Sequence, residues 1–321
     1  MATTAATRSR AAPGIERILP LLRCPETGAP LRLAGDRLVT RAGDRDYALS
    51  ASGIPLFAAR LCSPDARQQE AHYAAIAAAY VENLAYPHTL EYTQSLDRAL
   101  LDAVAAGPLG TVAELCCGRG EAFILLPGRI ADGVGVDISV PMLEAAQRRH
   151  AAANLAFVQG DATRLPLASA AFDTVFMLGG IHHVGQRRAL FAEIARILKP
   201  GGWFYFREPV SDFAPWRWLR AVIYRLSPSL DHMTERPLLW RETVPLLEAA
   251  GLRCQHWRTH GFLGFCLFMN SDVLVFNRLF RFLPGIRAVT RLAARVDEAL
   301  LSLPFLRRAG LQVVGAAQKA V

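Results

Sequence analysis

Hydrophobic residues in the middle of the chain fall into short, nearly uninterrupted runs that alternate with amphipathic segments. Runs such as TVAELCC, GVGVDIS, LAFVQGD, FDTVFML and WFYFREP predict buried strands, because a strand covered on both faces carries few polar positions. Between them, VPMLEAAQRRHAA and RRALFAEIARILK have the three-to-four-residue spacing of helices, and we place Lys199 in the last turn of the second one. This order predicts an α/β protein with a mostly parallel sheet.

The flanking segments follow other patterns, which divide the chain into parts. The start has basic positions without an apolar core, so it predicts a disordered leader and no secretory signal. Turn residues split the next segment into a short helix and short strands, which indicates a small α+β domain. The predicted parts are the leader 1–14, the small domain 15–62, a helical lid 63–106, the core 107–210, and a remainder 211–321 with insertions at about 211–239 and 270–309.

Charge and hydropathy narrow the class of protein. No window reaches 18 uncharged apolar residues, so we expect no transmembrane span and a cytoplasmic protein. The formal net charge is +8, and 34 of the 36 basic residues are arginines, since the lysines are Lys199 and Lys319. Base composition of the gene explains that excess simply, while attraction to an anionic lipid, nucleic acid or phosphorylated substrate stays open.

The six cysteines carry no metal or disulfide pattern. Cys116 and Cys117 are adjacent and cannot easily bridge each other, and no CxxC pair occurs, which argues against a zinc site and a disulfide framework. We expect reduced thiols and no metal, with the vicinal pair serving as small apolar residues at a strand end. A redox or metal role for the pair is the alternative.

A glycine-rich turn, CGRGE, follows the first core strand and precedes a helix. Such a turn lets the backbone approach a ligand closely. The dinucleotide pattern G-x-G-x-x-G would need glycine at position 123, where Phe123 stands, so a pyrophosphate is disfavoured. Glu114 precedes the turn, and a carboxylate there suits a ligand that carries an ammonium group.

The motifs AELCCGRGE, GVDIS, VQGDATRLPLASAAFDTVFMLGGIHHV and LKPGG resemble, in order, those of class I S-adenosylmethionine-dependent methyltransferases, with the quinone-biosynthesis C-methyltransferases as the nearest group. The resemblance is strong over about residues 105–210. It implies a Rossmann-like, mostly parallel seven-stranded sheet, helical insertions that cover the substrate, and S-adenosyl-L-methionine as cofactor. The family's usual first glycine is replaced here by Cys116, which adds bulk beside the methionine part and leaves a repurposed cofactor site as an alternative.

The resemblance also implies roles for individual residues. Glu114 would neutralise the methionine ammonium, Asp137 would accept the ribose hydroxyls, and Asp161 would take the adenine amino group. These ends of parallel strands are where open α/β sheets bind ligands. The remaining implied cofactor contacts are Cys116, Gly118, Gly120, Ile138, Met142, Ala162, Met177 and Leu178. Tyr80 is a further cofactor candidate, because its predicted helix could close over the site.

The small domain resembles a second family. LLRCPETGAPLRL and the following strands are similar to the zinc-ribbon-like activator of tRNA and protein methyltransferases. That domain usually has a second cysteine where Thr27 stands, and only Cys24 remains here. The resemblance therefore implies a retained fold without zinc, which packs against the catalytic domain or contacts a partner.

Candidate catalytic residues are few, because methyl transfer from a sulfonium mainly requires alignment and desolvation of the reactants. A general base is needed only where the acceptor holds its proton. Glu208 ends the fifth strand and His183 follows the fourth, so these two are the catalytic candidates, each with packing as the alternative. His182 also follows the fourth strand, and His232, His256 and His260 are weaker candidates that could line the acceptor pocket. Tyr80 and Tyr86 could close over the cofactor or simply belong to the core.

Aromatic and aliphatic side chains dominate the predicted insertions, and such a pocket suits a lipophilic or aromatic small molecule. We therefore expect a methyltransferase acting on a quinone, polyketide, terpenoid or lipid-like acceptor. An RNA or protein methyltransferase, and a cyclase or binding module that uses the cofactor without methylation, are the alternatives. Arginines interleave with the aromatics of the C-terminal region, a pattern that fits peripheral membrane contact or, alternatively, a diphosphate or carboxylate group on the substrate. No RNA-recognition signature accompanies them, so nucleic acid is not the expected partner.

Overall fold

A computed structural model describes residues 14–59, 62–71, 85–150, 154–219, 236–269 and 275–321. Several sequence predictions fall outside these ranges. They are almost all of the leader, the middle of the helical lid with Tyr80, and most of the insertion at 211–239 with His232.

The N-terminal unit is a small α+β layer, as predicted. Two short helical turns are followed by an antiparallel sheet in the order β1-β2-β3. Its elements are α1 (Ile15–Ile18), a 3₁₀ turn (Leu19–Leu21), β1 (Leu31–Ala34), β2 (Arg37–Thr40) and β3 (Asp46–Ala48).

The remaining described elements form the α/β core and its C-terminal additions. The helices are α2 (Pro87–Ala103), α3 (Glu121–Leu125), α4 (Val140–Arg149), α5 (Arg187–Ile197), α6 (Trp240–Ala249), α7 (Leu263–Phe268) and α8 (Ile286–Leu301), with 3₁₀ turns at Ile181–His183 and Val275–Phe282. The strands are β4 (Gly110–Leu115), β5 (Ile130–Asp137), β6 (Leu155–Gln159), β7 (Phe172–Leu178), β8 (Leu198–Pro209), β9 (Leu252–His260) and β10 (Gln312–Lys319).

Seven strands of the described ranges form one sheet in the order β6-β5-β4-β7-β8-β10-β9. Neighbours from β6 to β8 are parallel, and β10 runs antiparallel to both β8 and β9. The predicted mostly parallel, seven-stranded Rossmann-like sheet is therefore confirmed. Because β9 points the same way as the parallel strands, the segment that follows it leaves the sheet at their carboxyl edge.

Lys199 does not lie in a helix, contrary to the sequence prediction. Helix α5 ends at Ile197, and β8 begins at Leu198 and passes through Lys199 and Pro200. A residue that precedes proline is pushed out of the helical region, so the chain becomes extended earlier than the helical spacing suggested. The Lys199 ammonium instead lies 2.7 Å from an oxygen of Asp173 on β7.

Both faces of the core sheet are covered by apolar side chains. Side chains alternate along β7, so that Val175 and Met177 join one buried cluster while Phe176 joins the other. Helix α5 and the N-terminal unit cover the first face, and α2, α3 and α4 cover the second. Burying each large apolar side chain contributes roughly 1.5–3 kcal/mol, so these two layers hold the strand ends in place.

The N-terminal unit lies along the outer edge of the core sheet. The Phe57 amide donates to the Gln159 carbonyl over 3.1 Å, and the Gln159 amide donates to the Pro55 carbonyl over 2.9 Å. Phe57 is 2% exposed and belongs to the same buried cluster as the core. Backbone pairing of this kind covers an edge strand that would otherwise expose unpaired groups.

Candidate functional site

The carboxyl ends of the parallel strands meet around the point where the strand order reverses. Strand β4 lies between β5 and β7, and the chain leaves β5 and β7 toward opposite sides of the sheet. Open α/β sheets bind ligands in the crevice at such a switch point. The acidic residues predicted from the motifs lie on or just after these strands.

Glu114 lies on β4 and is 1% exposed. Its Oε1 accepts a 3.0 Å hydrogen bond from the Ala122 amide, while Oε2 is buried and has no hydrogen-bond partner among the described residues. Burial raises the pKa of this carboxyl to about 8. A buried acceptor without a partner costs free energy, and a ligand cation would satisfy it.

The turn after β4 needs glycine at two positions. Gly118 and Gly120 have φ angles of 51° and 76°, a region that side chains disfavour. A Cβ on Gly120 would lie 2.7 Å from Nε2 of His150, which itself lies 3.0 Å from the Arg119 carbonyl. The loop is thus fixed close to α4, and its backbone borders the crevice.

Cys116 adopts the same left-handed region, with φ 48°, although it is not glycine. Its side chain packs against the loop after β7, because a Cβ on Gly180 would lie 2.6 Å from the Cys116 Cβ. Burial raises the pKa of the Cys116 thiol, and the nearby carboxylates of Asp137, Glu208 and Asp161 raise it further. The thiol therefore lies in the negative field of acids from the ends of β5 and β8 and from the loop after β6.

The Cys117 side chain points toward β5. A Cβ on Gly135 would lie 3.0 Å from its Sγ. Both cysteines are free thiols. Within the described ranges no group of three or more His, Cys, Asp or Glu residues is arranged to hold a metal ion.

Asp137 ends β5 and is 9% exposed. Its two oxygens accept 2.8 Å hydrogen bonds from the Gly118 and Ser139 amides. Burial raises the pKa of this carboxyl, while the backbone donors oppose that effect. The side chain therefore joins the glycine turn to the start of α4, and the remaining lone pairs of its oxygens are available to a ligand hydroxyl.

Asp161 follows β6 and is tied to a segment that the motifs did not indicate. Burial opposes its ionisation, but hydrogen bonds from Ser63 and Thr163 outweigh burial and lower its pKa. The Ser63 amide donates to Oδ2 over 2.7 Å, and the Thr163 amide donates to Oδ1 over 2.8 Å. Segment 62–71 also reaches the loop after β7, where the Gly185 amide donates to Asp65 Oδ2 over 2.7 Å.

The apolar residues predicted to flank an adenosine lie near these acids on the same edge. Met142 and Ala162 are buried, Met177 is fully buried at the end of β7, and Ile138 and Leu178 are half-buried. A Cβ on Gly118 would lie 3.6 Å from the Met142 methyl group. The residues predicted for the cofactor are thus brought together, apart from Tyr80, which lies outside the described residues.

Glu208 is fully buried, and both of its oxygens are engaged. Oε1 accepts from the Gly180 and Ile181 amides over 2.7 and 2.8 Å, and Oε2 lies 2.8 Å from His182 Nδ1. The geometry therefore pairs Glu208 with His182, whereas the sequence had singled out His183. The His183 ring packs on the His182 ring at 3.9 Å between centroids.

The remaining described candidates are His256, His260 and Tyr86. His260 Nδ1 lies 2.9 Å from Glu298 Oε1. This contact joins the end of β9 to α8. Burial lowers the pKa of His256, and His260 and Arg258 lower it further. The Tyr86 hydroxyl accepts a 2.8 Å hydrogen bond from Arg281. Ser63 and Asp65 were missed by sequence reasoning, because they stand in a segment without a motif.

No helix in the described part of the chain is long and apolar enough to cross a membrane.

Comparisons with known proteins agree with this geometry. Residues 113–206 match the family described as Methyltransferase domain. The demethylmenaquinone methyltransferase of Mycolicibacterium vanbaalenii is 36% identical over 50% of this chain and 76% of its own length. That of Beutenbergia cavernae is 39% identical over 37% of this chain and 48% of its length, and the fatty-acid O-methyltransferase of Mycolicibacterium smegmatis is 33% identical over 35% and 41%. The chain therefore spans less than half of these last two relatives.

The fold recurs in solved structures. A chain of the complex that contains the Haloferax volcanii Trm112 methyltransferase activator has a TM-score of 0.52 and 21% identity, over 79% of this chain and 97% of that one. At this identity the likeness supports the fold alone.

Proposed function

Because the chain belongs to the class I S-adenosylmethionine-dependent methyltransferases, we propose that it transfers the methyl group of S-adenosyl-L-methionine to a lipophilic or aromatic small molecule. The observation that carries the proposal is the buried, unpaired Oε2 of Glu114 beside a glycine turn held by Asp137. A cationic amino-acid cofactor satisfies that oxygen, whereas a dinucleotide would bring phosphates toward it.

The described residues fit the cofactor. Glu114 would hold the ammonium, the backbone of Gly118 and Gly120 would border the methionine and ribose, Asp137 would accept the ribose hydroxyls, and Asp161 would accept from the adenine amino group. Cys116 narrows the turn from one side without blocking it, since its side chain packs against Gly180. When bound, the cofactor supplies a methyl group on a positively charged sulfur.

Several acids around this crevice suit a positively charged ligand. Asp137, Asp161 and Glu208 all act on the thiol of Cys116, and Asp137 and Glu114 act on that of Cys117. In a site of low dielectric, ionised carboxylates attract a cation more strongly than in water. Glu114 has its pKa raised to about 8 by burial, and a bound ammonium would favour its ionised form. Positioning and electrostatic attraction are the main tasks of a protein in this reaction.

His182 is the better candidate for a base where the acceptor holds its proton. Glu208 accepts four bonds from the loop after β7 and its histidine, so it is a positioning residue. A hydrogen bond donated by His182 Nδ1 to Glu208 Oε2 leaves the lone pair of the His182 ring on Nε2. The neighbouring His183 ring is tilted by 40° against the His182 ring and takes no part in the pair.

This assignment is tested by the pH profile of methyl transfer. His182→Ala should lower kcat at least tenfold with cofactor affinity unchanged, and Glu208→Gln should move the acidic limb of the kcat profile. The matched control is His183→Ala, which keeps the Glu208–His182 pair. A His182→Ala variant with the wild-type profile would show that the acceptor needs no base.

The lipophilic acceptor is supported by the apolar segments beyond the strand ends. Phe213, Trp216 and Phe262 form a cluster with ring centroids 5.6–6.4 Å apart, and they follow the carboxyl ends of β8 and β9. These rings pack on one another beyond the strand ends, where the acceptor would lie, and an apolar lining favours apolar ligands. Two of the relatives act on a quinone and a fatty acid by their names, which agrees with an acceptor of this class.

We also propose that residues 15–62 are a zinc-ribbon-like module that has lost zinc and supports the catalytic core. Its Cys24 Sγ lies 3.0 Å from the Tyr47 hydroxyl, and Thr27 stands where the resemblance implies a second cysteine. Its edge pairing with β6 supplies the supporting contact. A strong chelator should leave the thermal midpoint unchanged, and a large drop would show that metal holds this unit together.

For the whole protein we propose a cytoplasmic enzyme that meets membranes peripherally through its arginine-rich C-terminal region and does not bind nucleic acid. We also propose the domain division that the sequence predicts, in which residues 107–210 are the cofactor-binding core. Affinity for tRNA at moderate salt would instead favour the RNA methyltransferase.

The function is tested by cofactor binding followed by transfer. Calorimetry should show one S-adenosylmethionine site, and labelled methyl groups should appear in an organic-soluble acceptor from a cell extract. Glu114→Gln should weaken binding roughly 10- to 150-fold, because a charge-assisted hydrogen bond contributes about 1.5–3 kcal/mol. Glu121→Gln is the control, since that side chain is 38% exposed at the start of α3.

Two results would contradict the proposal. The first is an equal loss of affinity in the two glutamate variants, which would remove Glu114 from the site. The second is tight cofactor binding without transfer to any extract fraction, which would favour a non-methylating cyclase or binding module.

A further inference from the structure

Helix α8 has three faces rather than two. Its buried face packs against α2 and α7 and consists of Ile286, Thr290, Ala294, Asp297 and Leu301. These positions recur every three or four residues, as one side of a helix does. The outward half of the helix is divided between an apolar row and a basic row.

The apolar row of α8 is exposed. Val289, Leu292 and Val296 are 50%, 62% and 48% exposed and again follow the three-to-four-residue spacing. Further exposed apolar residues precede and follow the helix in the chain, and they are Leu279, Phe282, Leu283, Leu303 and Phe305. Exposed apolar side chains in this number within one segment of the chain indicate an interaction site, because single scattered ones are what an ordinary surface carries.

The basic row lies next to it on the same helix. Arg287, Arg291 and Arg295 are exposed and spaced four residues apart. Arg295 and Arg291 line a groove of about 420 Å³ between α2 and α8, together with Ser95, Arg98, Ala294 and Glu298. Arg291 lies 3.5 Å from Glu91 of α2 but keeps its side chain 55% exposed. Within the described ranges no ion pair joins Arg98 or Arg295 to an acid, so the charges of these two residues are available.

The acids of this region are already engaged. Residues 275–309 contain seven arginines and two acids, Asp297 and Glu298. Asp297 is 2% exposed and accepts from the Phe262 and Phe265 amides over 2.7 and 2.8 Å. Glu298 Oε1 lies 2.9 Å from His260 Nδ1. The outward surface is therefore positive as well as apolar.

We propose that this surface, the apolar row of α8 with its flanking residues and the arginine groove, docks on a bilayer that contains anionic phospholipids. The apolar row would enter the boundary between headgroups and acyl chains, and the arginines would bind lipid phosphates. A bilayer offers apolar depth and negative charge side by side. A second copy of the same surface would place arginine against arginine, which costs free energy.

The position of the surface agrees with this partner, and here the inference rests on the proposed function. Helices α7 and α8 follow β9, whose carboxyl end lies on the same edge of the sheet as the cofactor residues. Docking through α8 would thus bring the acceptor side of the enzyme to the membrane in which a lipophilic acceptor dissolves.

Vesicle sedimentation of the full-length protein tests the proposal. Wild-type protein should bind phosphatidylcholine vesicles with 30 mol% phosphatidylglycerol at least tenfold more tightly than pure phosphatidylcholine vesicles. Each arginine near an anionic surface contributes about 1 kcal/mol, so Arg287→Glu, Arg291→Glu and Arg295→Glu together should lower binding tenfold or more. The control is Arg148→Glu, Arg149→Glu and Arg188→Glu, which changes the charge equally at other exposed positions and should bind as wild type.

A second variant separates lipid from free ions. Val289→Ser, Leu292→Ser and Val296→Ser keep every charge and should still lose at least tenfold in vesicle binding. The proposal would be overturned if this variant bound vesicles as the wild type does and inorganic phosphate competed with that binding. The groove would then be a site for free ions. The proposal would also be overturned if the α8 arginine variant and its control variant lost vesicle binding equally, or if the wild-type protein did not sediment with vesicles. So would a dimer in solution that the serine variant dissociates, because the occupant would then be a second copy.

Cofactor calorimetry on the same variants keeps this inference separate from the proposed function. The surface variants should bind S-adenosylmethionine as wild type does, since the substituted side chains lie outside the cofactor site. Normal vesicle binding without methyl transfer would contradict the enzyme assignment alone. Methyl transfer to a detergent-dispersed acceptor without vesicle binding would contradict the docking surface alone.

Discussion

At the scale of single residues, the site depends on a few side chains that are costly without a ligand. Glu114 keeps one buried oxygen without a partner, and Cys116 holds a backbone conformation that glycine adopts more easily. Such positions persist because the surrounding strands fix them, and they cluster at binding sites. The pKa of Glu114 makes this cost measurable.

The stability of the cofactor-free protein should fall between pH 5 and pH 8, in part because of Glu114. Its ordinary pKa is 4.5, and burial raises it to about 8 in the folded chain. Over this interval the unfolded chain has released its proton while the folded chain still holds it, so rising pH favours unfolding. Thermal midpoints measured at several pH values should show a smaller fall in Glu114→Gln.

The control for this measurement is Glu16→Gln, which alters an exposed carboxylate of the N-terminal unit. Its midpoints should follow those of the wild type. An unchanged pH dependence in Glu114→Gln would mean that the carboxyl is ionised in the fold, and the argument for an unsatisfied acid would fail.

At the scale of elements, buried acids join segments that are distant in sequence. Asp297 of α8 accepts the amides that begin α7 and also the Tyr92 hydroxyl of α2, over 3.2 Å. Glu208 does the same for the loop after β7. Each acid satisfies backbone donors that no helix or strand could pair, so it fixes an element rather than only a side chain.

Asp297→Asn should lower the free energy of unfolding by about 2 kcal/mol, because an amide replaces charge-assisted bonds to three backbone donors. Tyr92→Phe removes only the hydroxyl contact and should cost less than about 1 kcal/mol. Urea unfolding of both variants measures the difference. An equal cost for the two would place the stabilising contact at Tyr92 and not at the start of α7.

At the scale of the whole molecule, the N-terminal unit and the α/β core share one buried cluster. Phe57 packs against Tyr47, with ring centroids 4.8 Å apart, and its neighbours pair with the edge strand β6. Two parts joined by a common core are expected to unfold in one cooperative step. The tryptophans test this, because all five lie between residues 203 and 257.

Phe57→Ala should therefore destabilise the core as well as the N-terminal unit. Removing a buried phenylalanine costs about 3–5 kcal/mol. The urea midpoint of tryptophan fluorescence should shift together with that of far-ultraviolet circular dichroism. The control is Arg32→Ala, an exposed position in β1. A fluorescence midpoint that stays in place while the dichroism shifts would show that the two parts unfold independently.

The sequence by itself determined the parallel sheet, the glycine turn and the acids at the strand ends. These features depend on local rules, since a buried strand is apolar along its length and a tight turn requires glycine within a few residues. The helix boundary at Lys199 was placed wrongly, because Pro200 ended the helix earlier than its spacing indicated.

Only the tertiary structure decided which distant groups meet. The Ser63 amide donates a hydrogen bond to Asp161, which lies 98 residues away in the sequence, and Glu208 pairs with His182, which lies 26 residues away. The packing of the buried face of α8 against α2 decides that its apolar row and its basic row face outward. A sequence pattern records periodicity, but which side is covered depends on partners brought close by folding, and these leave no local signal.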